Sequence, residues 1–171
     1  MTHFDRTWTT QPEAAALVAS TLDDALATVP EAQALASRLR DDIGVRLIDI
    51  LDYISLPEGS DVSAYLDAGW KRDASDPTVL RNATGLFPVV LTRGQSTAVG
   101  FKVEYVHEFA AAQGLSAPVE GAMHAPFRRV RFAEAGGVAF DAIERRGSRG
   151  FEPDDPSAAT LRAAQLHLQT F

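Results

Sequence analysis

Hydrophobic residues along this chain follow two rhythms, one helical and one alternating, and the change of rhythm near residue 45 sets its organisation. In residues 11–28, Ala14, Leu17, Val18, Leu22, Ala25 and Leu26 recur at helical spacing and the stripe runs on to Val29. Thr10 and Glu13 have capping-box spacing, with Pro12 in the first turn, where a missing N–H costs little. Thr28, Pro30 and Glu31 repeat that start signal. A second helix to about Asp42 turns Leu35 and Leu39 inward and ends at Gly44. Residues 1–44 therefore predict a helical hairpin that packs on a sheet or on a partner subunit.

The second rhythm opens with VRLIDILDYISL (45–56), rich in β-branched and long aliphatic residues. Ile48, Ile50, Ile54 and Leu56 share one parity, Leu51, Tyr53 and Ser55 the other, and Asp52 interrupts the apolar pattern. A strand is predicted here, with a helical reading of 45–53 left open. DVSAYLDA then predicts a short helix after Ser60, stopped by Gly69. TVLRNATG and LFPVVLTRG read as two strands meeting near Thr84-Gly85, with Pro88 needing an edge position or a bulge. The grammar then repeats. VGFKVE alternates, with Val99, Phe101 and Val103 on one face and Gly100, Lys102 and Glu104 on the other. YVHEFAAAQ is an amphipathic helix ended by Gly114. Three strand candidates follow at 117–123, 127–132 and 138–144, the last two joined by Gly136-Gly137, a hairpin signal. After a loop, Asp155 and Pro156 start a final helix through Leu161, Ala164 and Leu168, with a narrow apolar stripe.

Two βαβββ modules, at about 45–94 and 95–146, are the economical account of this repeat. The expected fold is α+β: a curved mixed sheet around a cleft, with an N-terminal helical hairpin (1–44) and, over 147–171, a loop and C-terminal helix. A composition of 46% hydrophobic and 23% charged residues is that of an ordinary globular domain. The net charge of −7 argues against a general nucleic-acid or anionic-membrane partner, since phosphate surfaces require a basic counterpart. With no cysteine there is no disulfide, thiolate zinc site or thiol nucleophile. The N-terminus lacks a basic region followed by an apolar run, and no run approaches the ~20 residues of a membrane span, so a cytoplasmic protein is expected.

LDYISLPEGSDVSAYLDAGW (51–70) resembles the opening strand and helix of vicinal oxygen chelate modules, the fold of glyoxalases, extradiol dioxygenases and bleomycin-resistance proteins. TAVGFKVEYVHEFAAAQGL (97–115) resembles the opening of a second module, and GGVAFDAIE (136–144) its closing strand. The resemblance covers about residues 45–146. Metal-using members aim carboxylate and His or Gln side chains into a cup from the first and last strands of both modules. Here those positions fall on Tyr53, on residues 88–90, on Ala98 and on Asp141. One carboxylate among four positions implies that the usual metal chemistry is absent and no cofactor is held, and that the family's metal-free binding mode is the better analogue.

The residues themselves supply further candidates. In FRRVRF, Val130 and Phe132 facing the helices would turn Arg129 and Arg131 to the cup, where two guanidiniums recognise a carboxylate or phosphate bidentately. A solvated face pairing with the chain's many acids is the plainer account of the same arginines. Lys102 shares that face, and RRGSRG (145–150) reads as an ordinary loop. Asp49 and Asp52 meet only if the chain bends between them. An inward Asp52 requires a partner, and a place near the strand end with access to water is the expectation. His107 reads as an exposed helix residue and His124 as a strand-end histidine at a proline turn. No local metal motif, serine elbow, phosphate loop or dinucleotide fingerprint occurs. The leading expectation is a metal-independent binding protein for a small anionic ligand, using Tyr53, Lys102, Arg129, Arg131 and Asp141. Two alternatives stay open: a divalent-metal lyase or dioxygenase with His124, Asp141 and Glu144 as ligands, and an interaction module whose terminal helices form a homodimer.

Overall fold

The structure is a computed structural model and describes residues 12–27, 29–84, 88–115, 127–145 and 156–171. Helix α1 (Pro12–Leu26) and helix α2 (Pro30–Ile43) form the expected hairpin. The N-cap of α2 is Val29, which offers no side-chain cap, and Pro30 at the first turn carries the start signal instead. Gly44 takes φ 67°, and its N–H closes the last turn on Arg40 O.

The stretch predicted as one strand from residue 45 divides in two. A 3₁₀ turn occupies Leu47–Ile50, and strand β1 begins only at Leu51, ending at Pro57. Helical and extended readings of this stretch each hold for a part of it, since its apolar residues are buried in the turn and in the strand alike. After β1 come helix α3 (Ser63–Asp67), strand β2 (Lys71–Arg72), strand β3 (Val79–Arg81) and strand β4 (Val89–Gly94). The two-residue β2 carries no hydrophobic pattern of its own, and nothing in the sequence predicts it. Pro88 immediately precedes β4, where its missing N–H interrupts no ladder, and its carbonyl accepts from Asn82 Nδ2 at 3.1 Å.

The second half runs strand β5 (Thr97–Lys102), helix α4 (Val106–Ala112), strand β6 (Phe127–Ala135) and strand β7 (Val138–Arg145), one described strand fewer than the first half, and helix α5 (Pro156–Leu168) follows. The strand candidate at 117–123 lies outside the described residues. The turn between β6 and β7 has Gly136 at φ 60° and Gly137 at φ 78°, consecutive left-handed residues that only glycine adopts without strain.

Among the described residues, seven strands form one open mixed sheet in the order β2-β3-β4-β1-β5-β7-β6. Each half places its last strand parallel to its first, β4 beside β1 and β7 beside β5, and the halves join where β1 runs antiparallel to β5. The main core lies between the sheet and the helices, with Leu22, Leu35, Leu39, Tyr65, Phe109, Leu161 and Leu168 packed over Ile54, Val99, Phe101 and Phe140. Helix α5 is part of this layer. Phe171 stacks 4.9 Å from Phe140, and His167 Nε2 lies 3.2 Å from Asp42 on α2. Alternate residues of the strands build a smaller cluster on the opposite face: Tyr53, Val79, Val89, Ala98, Ala139 and Ile143.

Candidate functional site

The face away from the helices is where the predicted residues meet. Register pairs Tyr53 of β1 with Gly100 of β5, Gly100 with Asp141 of β7, and Asp141 with Arg131 of β6. Four neighbouring strands thus contribute one row. Tyr53 reaches across it, lying over Gly100, and its hydroxyl donates to Asp141 Oδ2. A Cβ at Gly100 would sit 2.5 Å from Tyr53 Cε1, so the absent side chain is what lets the ring cross the strand. Arg131 completes the row, donating through Nε to Asp141 Oδ1 at 2.9 Å and through Nη2 to Oδ2 at 3.4 Å.

Arg129, two residues along β6 and on the same face, also bonds the Tyr53 hydroxyl. Burial pushes the Tyr53 phenol far above its ordinary range, the Asp141 carboxylate pushes it further, and Arg129 offsets this only in part. Tyr53 is therefore a fixed hydrogen-bond donor at neutral pH and no general base. The hydrogen bond to Asp141 raises the Arg131 guanidinium above its ordinary value. Asp141 is fully buried, while the Arg131 side chain is 49% exposed. Accessible guanidinium thus rests on a buried, hydrogen-bonded base.

A second buried pair lies on the same sheet. Arg145, at the end of β7, grips Asp52 with Nε and Nη2, both at 2.7 Å. Asp52 has no solvent access, contrary to the expected place near water. The irregular pairing between Leu51 and Tyr53 turns it inward, where Arg145 supplies the partner that a buried carboxylate demands. Arg145 accordingly belongs to the strand and not to the loop that RRGSRG suggests. Asp49 bends away to Arg46, 2.9 Å distant, so the two aspartates do not meet.

Lys102 has the expected parity but is buried, and its Nζ donates to Leu51 O at 3.0 Å. Of the five predicted ligand contacts, Arg131 is exposed and Arg129 partly so, whereas Tyr53, Asp141 and Lys102 stand beneath or beside them. Lys102, Arg129, Arg131 and Arg145 gather here with Asp52, Asp141 and, at the rim, Glu134, whose Oε1 is 3.6 Å from Arg131 Nη1. Among the described residues, four cations against three carboxylates leave this region positive in a chain of net charge −7.

The metal set of the alternative reading is not brought together. Asp141 shares the face of Ala139 and Ile143, while Glu144 has the opposite parity and pairs with Arg128, Nη1 to Oε2 at 3.7 Å. One ion cannot bind carboxylates on both sides of a strand. His124 lies outside the described residues. Among the described residues no group of three or more His, Cys, Asp or Glu stands close enough to hold a metal. Of the positions that the vicinal oxygen chelate resemblance assigns to ligands, Tyr53, Ala98 and Asp141 share this face, and within residues 88–90 Val89 lies on it and Val90 on the other. Two of the four are aliphatic. His107 is exposed on α4, as expected.

Gly100 and Arg145 are the residues that sequence reasoning misses. A glycine on the polar side of an alternating strand is a signal for Gly100. An inward aspartate at 52 calls for a cation, but parity alone cannot name Arg145. A groove of about 740 Å³ lies elsewhere, between α1, α2 and the 3₁₀ turn. Compared with known proteins, the chain matches no family model, no curated protein and no solved structure.

Proposed function

We propose that this chain is a binding protein for a small anionic molecule, held by Arg129 and Arg131 on the face of the sheet away from the described helices. The observation that carries the reading is the pairing of accessible guanidiniums with a buried base. Arg131 is oriented by Asp141, and Arg129 by the Tyr53 hydroxyl. Guanidiniums already fixed in direction lose little freedom when they meet a carboxylate or phosphate, and their planar forks match either group.

The repeated strand order supports an architecture like that of the vicinal oxygen chelate proteins, operating in the metal-free manner. In this reading Val89 and Ala98 fill two of the positions where metal-using members carry ligands. A cytoplasmic location agrees with the absence of cysteine, and among the described residues no helix is long and apolar enough to cross a membrane.

Thermal unfolding against a panel of small organic acids and inorganic phosphate tests the proposal. A ligand present at 100 times its dissociation constant adds about 2.7 kcal/mol of stability. The expected result is a saturable rise in midpoint that is lost in Arg129→Ala/Arg131→Ala and weakened by salt. A rise of equal size in the double variant would place the binding elsewhere.

A further inference from the structure

Strand β6 changes register once against β7, and the change falls beside Arg131. From the Gly136-Gly137 turn the pairs run Ala135 with Val138, Glu134 with Ala139 and Ala133 with Phe140. Continued without a break, that register would set Phe132 opposite Asp141 and Arg131 opposite Ala142, a residue of the main core. A slip of one residue exchanges the faces of a strand, so Arg129 and Arg131 would then enter the apolar side. Instead Arg131 stands opposite Asp141, and Phe132 is the extra residue of a bulge. Phe132 and Ala133 therefore both pack under the helices, and both arginines reach the side of Tyr53 and Asp141.

A bulge takes one residue out of the ladder and raises the local twist, so whatever seats that residue also sets the aim of its neighbour. Three rings seat Phe132. Phe109 of α4 meets it edge-on with centroids 5.0 Å apart, Phe171 after α5 does the same at 5.6 Å, and Phe140 of β7 lies at 6.4 Å. The segment that carries Phe171 is itself tied down, since Arg38 Nη2 of α2 donates to Thr170 Oγ1 at 2.8 Å.

We infer that Phe132, seated by Phe109 and Phe171, is a positioning residue of the anion site, so that the docking of α5 governs the aim of Arg131 from the opposite face of the sheet. The inference rests on the binding role proposed above for Arg129 and Arg131. Neither ring touches the anion: Phe171 acts through Phe132, and Phe132 through the backbone it shares with Arg131.

The test compares ¹⁵N-labelled wild-type, Phe171→Ala, Phe171→Leu and Leu22→Ala chains, free and titrated with benzoate, succinate and inorganic phosphate. Leu22 is a buried residue of α1, which packs chiefly on α2, α3 and the 3₁₀ turn, so its truncation lowers stability away from β6. In the free chain, Phe171→Ala is expected to move the Arg131 Nε–H resonance and to leave that of Arg145 in place, which also shows that the sheet is intact. Anion affinity is expected to fall by about fivefold or more. Phe171→Leu, which keeps most of the volume, is expected to give a smaller shift in the same direction, and it is read alone if the alanine variant does not fold. Leu22→Ala is expected to leave both the resonance and the affinity unchanged. An Arg131 resonance that neither Phe171 variant moves, or that Leu22→Ala moves as far, overturns the inference. If none of the anions binds the wild-type chain, the binding role falls, and the Arg131 resonance of the free chain still decides whether Phe171 sets its aim.

Discussion

Gly100 shows how one absent side chain can set a hydrogen bond between the two strands that flank it. The Tyr53 ring occupies the space that a β-carbon would fill, and from there its hydroxyl meets Asp141. Gly100→Ala must move the ring or the strand, and overpacking of this kind costs about 1–3 kcal/mol. Urea unfolding is expected to show that loss in the wild-type background and to show much less of it in Tyr53→Ala, because the two residues compete for one volume. Equal losses in both backgrounds would mean that the ring lies elsewhere. The phenol gives a pH signature. Its pKa in the folded chain stands above the unfolded value of 10.0, so the folded state keeps a proton that the unfolded state releases. Stability from this source is present below pH 10 and falls as pH rises past it, by up to about 1.4 kcal/mol per pH unit until the folded phenol itself ionises. Tyr53→Phe is expected to remove that alkaline slope, read as unfolding midpoints between pH 9 and 11. An unchanged slope would assign it to other groups.

The elements most legible in the sequence are those whose local signals and burial agree. Both N-terminal helices, α4 and the β6–β7 hairpin stand where apolar spacing and glycine place them. Residues 45–50 pass for strand because Leu47 and Ile50 are buried in a 3₁₀ turn as they would be in a strand, so burial alone does not tell the two apart. Strand β2 is illegible for the opposite reason: Lys71 and Arg72 are exposed, and what makes them a strand is pairing with Leu80 and Arg81. Helix α5 has too narrow a stripe to mark it as core. Leu161, Ala164 and Leu168 are nonetheless fully buried, and Gln113 Nε2 donates to Leu168 O at 3.2 Å. Leu168→Ala is expected to cost about 2–5 kcal/mol, the range for a core leucine, measured by chemical denaturation. A loss below about 0.5 kcal/mol, the scale of surface substitutions, would show that α5 is peripheral.

Across the whole molecule, one sheet separates two chemistries. The helix-covered side is an apolar core, and the other side carries the tyrosine row and its ion pairs. Period-two patterning makes this division readable in the sequence, because alternation alone sets Arg129 and Arg131 apart from Val130. What patterning does not reveal is which cations keep access to solvent, as Arg131 does and Lys102 and Arg145 largely do not. By parity Lys102 is equivalent to the arginines, yet its amine is turned to a backbone carbonyl, and Arg145 is held by Asp52. Partners that arise from strand order rather than from neighbouring sequence positions stay invisible to any local pattern. The functional account therefore narrows to Arg129 and Arg131 over Tyr53 and Asp141. It is tested most directly by following the arginine Nε–H resonances in a ¹⁵N NMR titration with benzoate, succinate and inorganic phosphate. The account predicts that at least one of these anions shifts Arg129 and Arg131 together and saturably, while Arg145 stays in place. Shifts spread evenly over all exposed arginines, or none at Arg129 and Arg131, would contradict it.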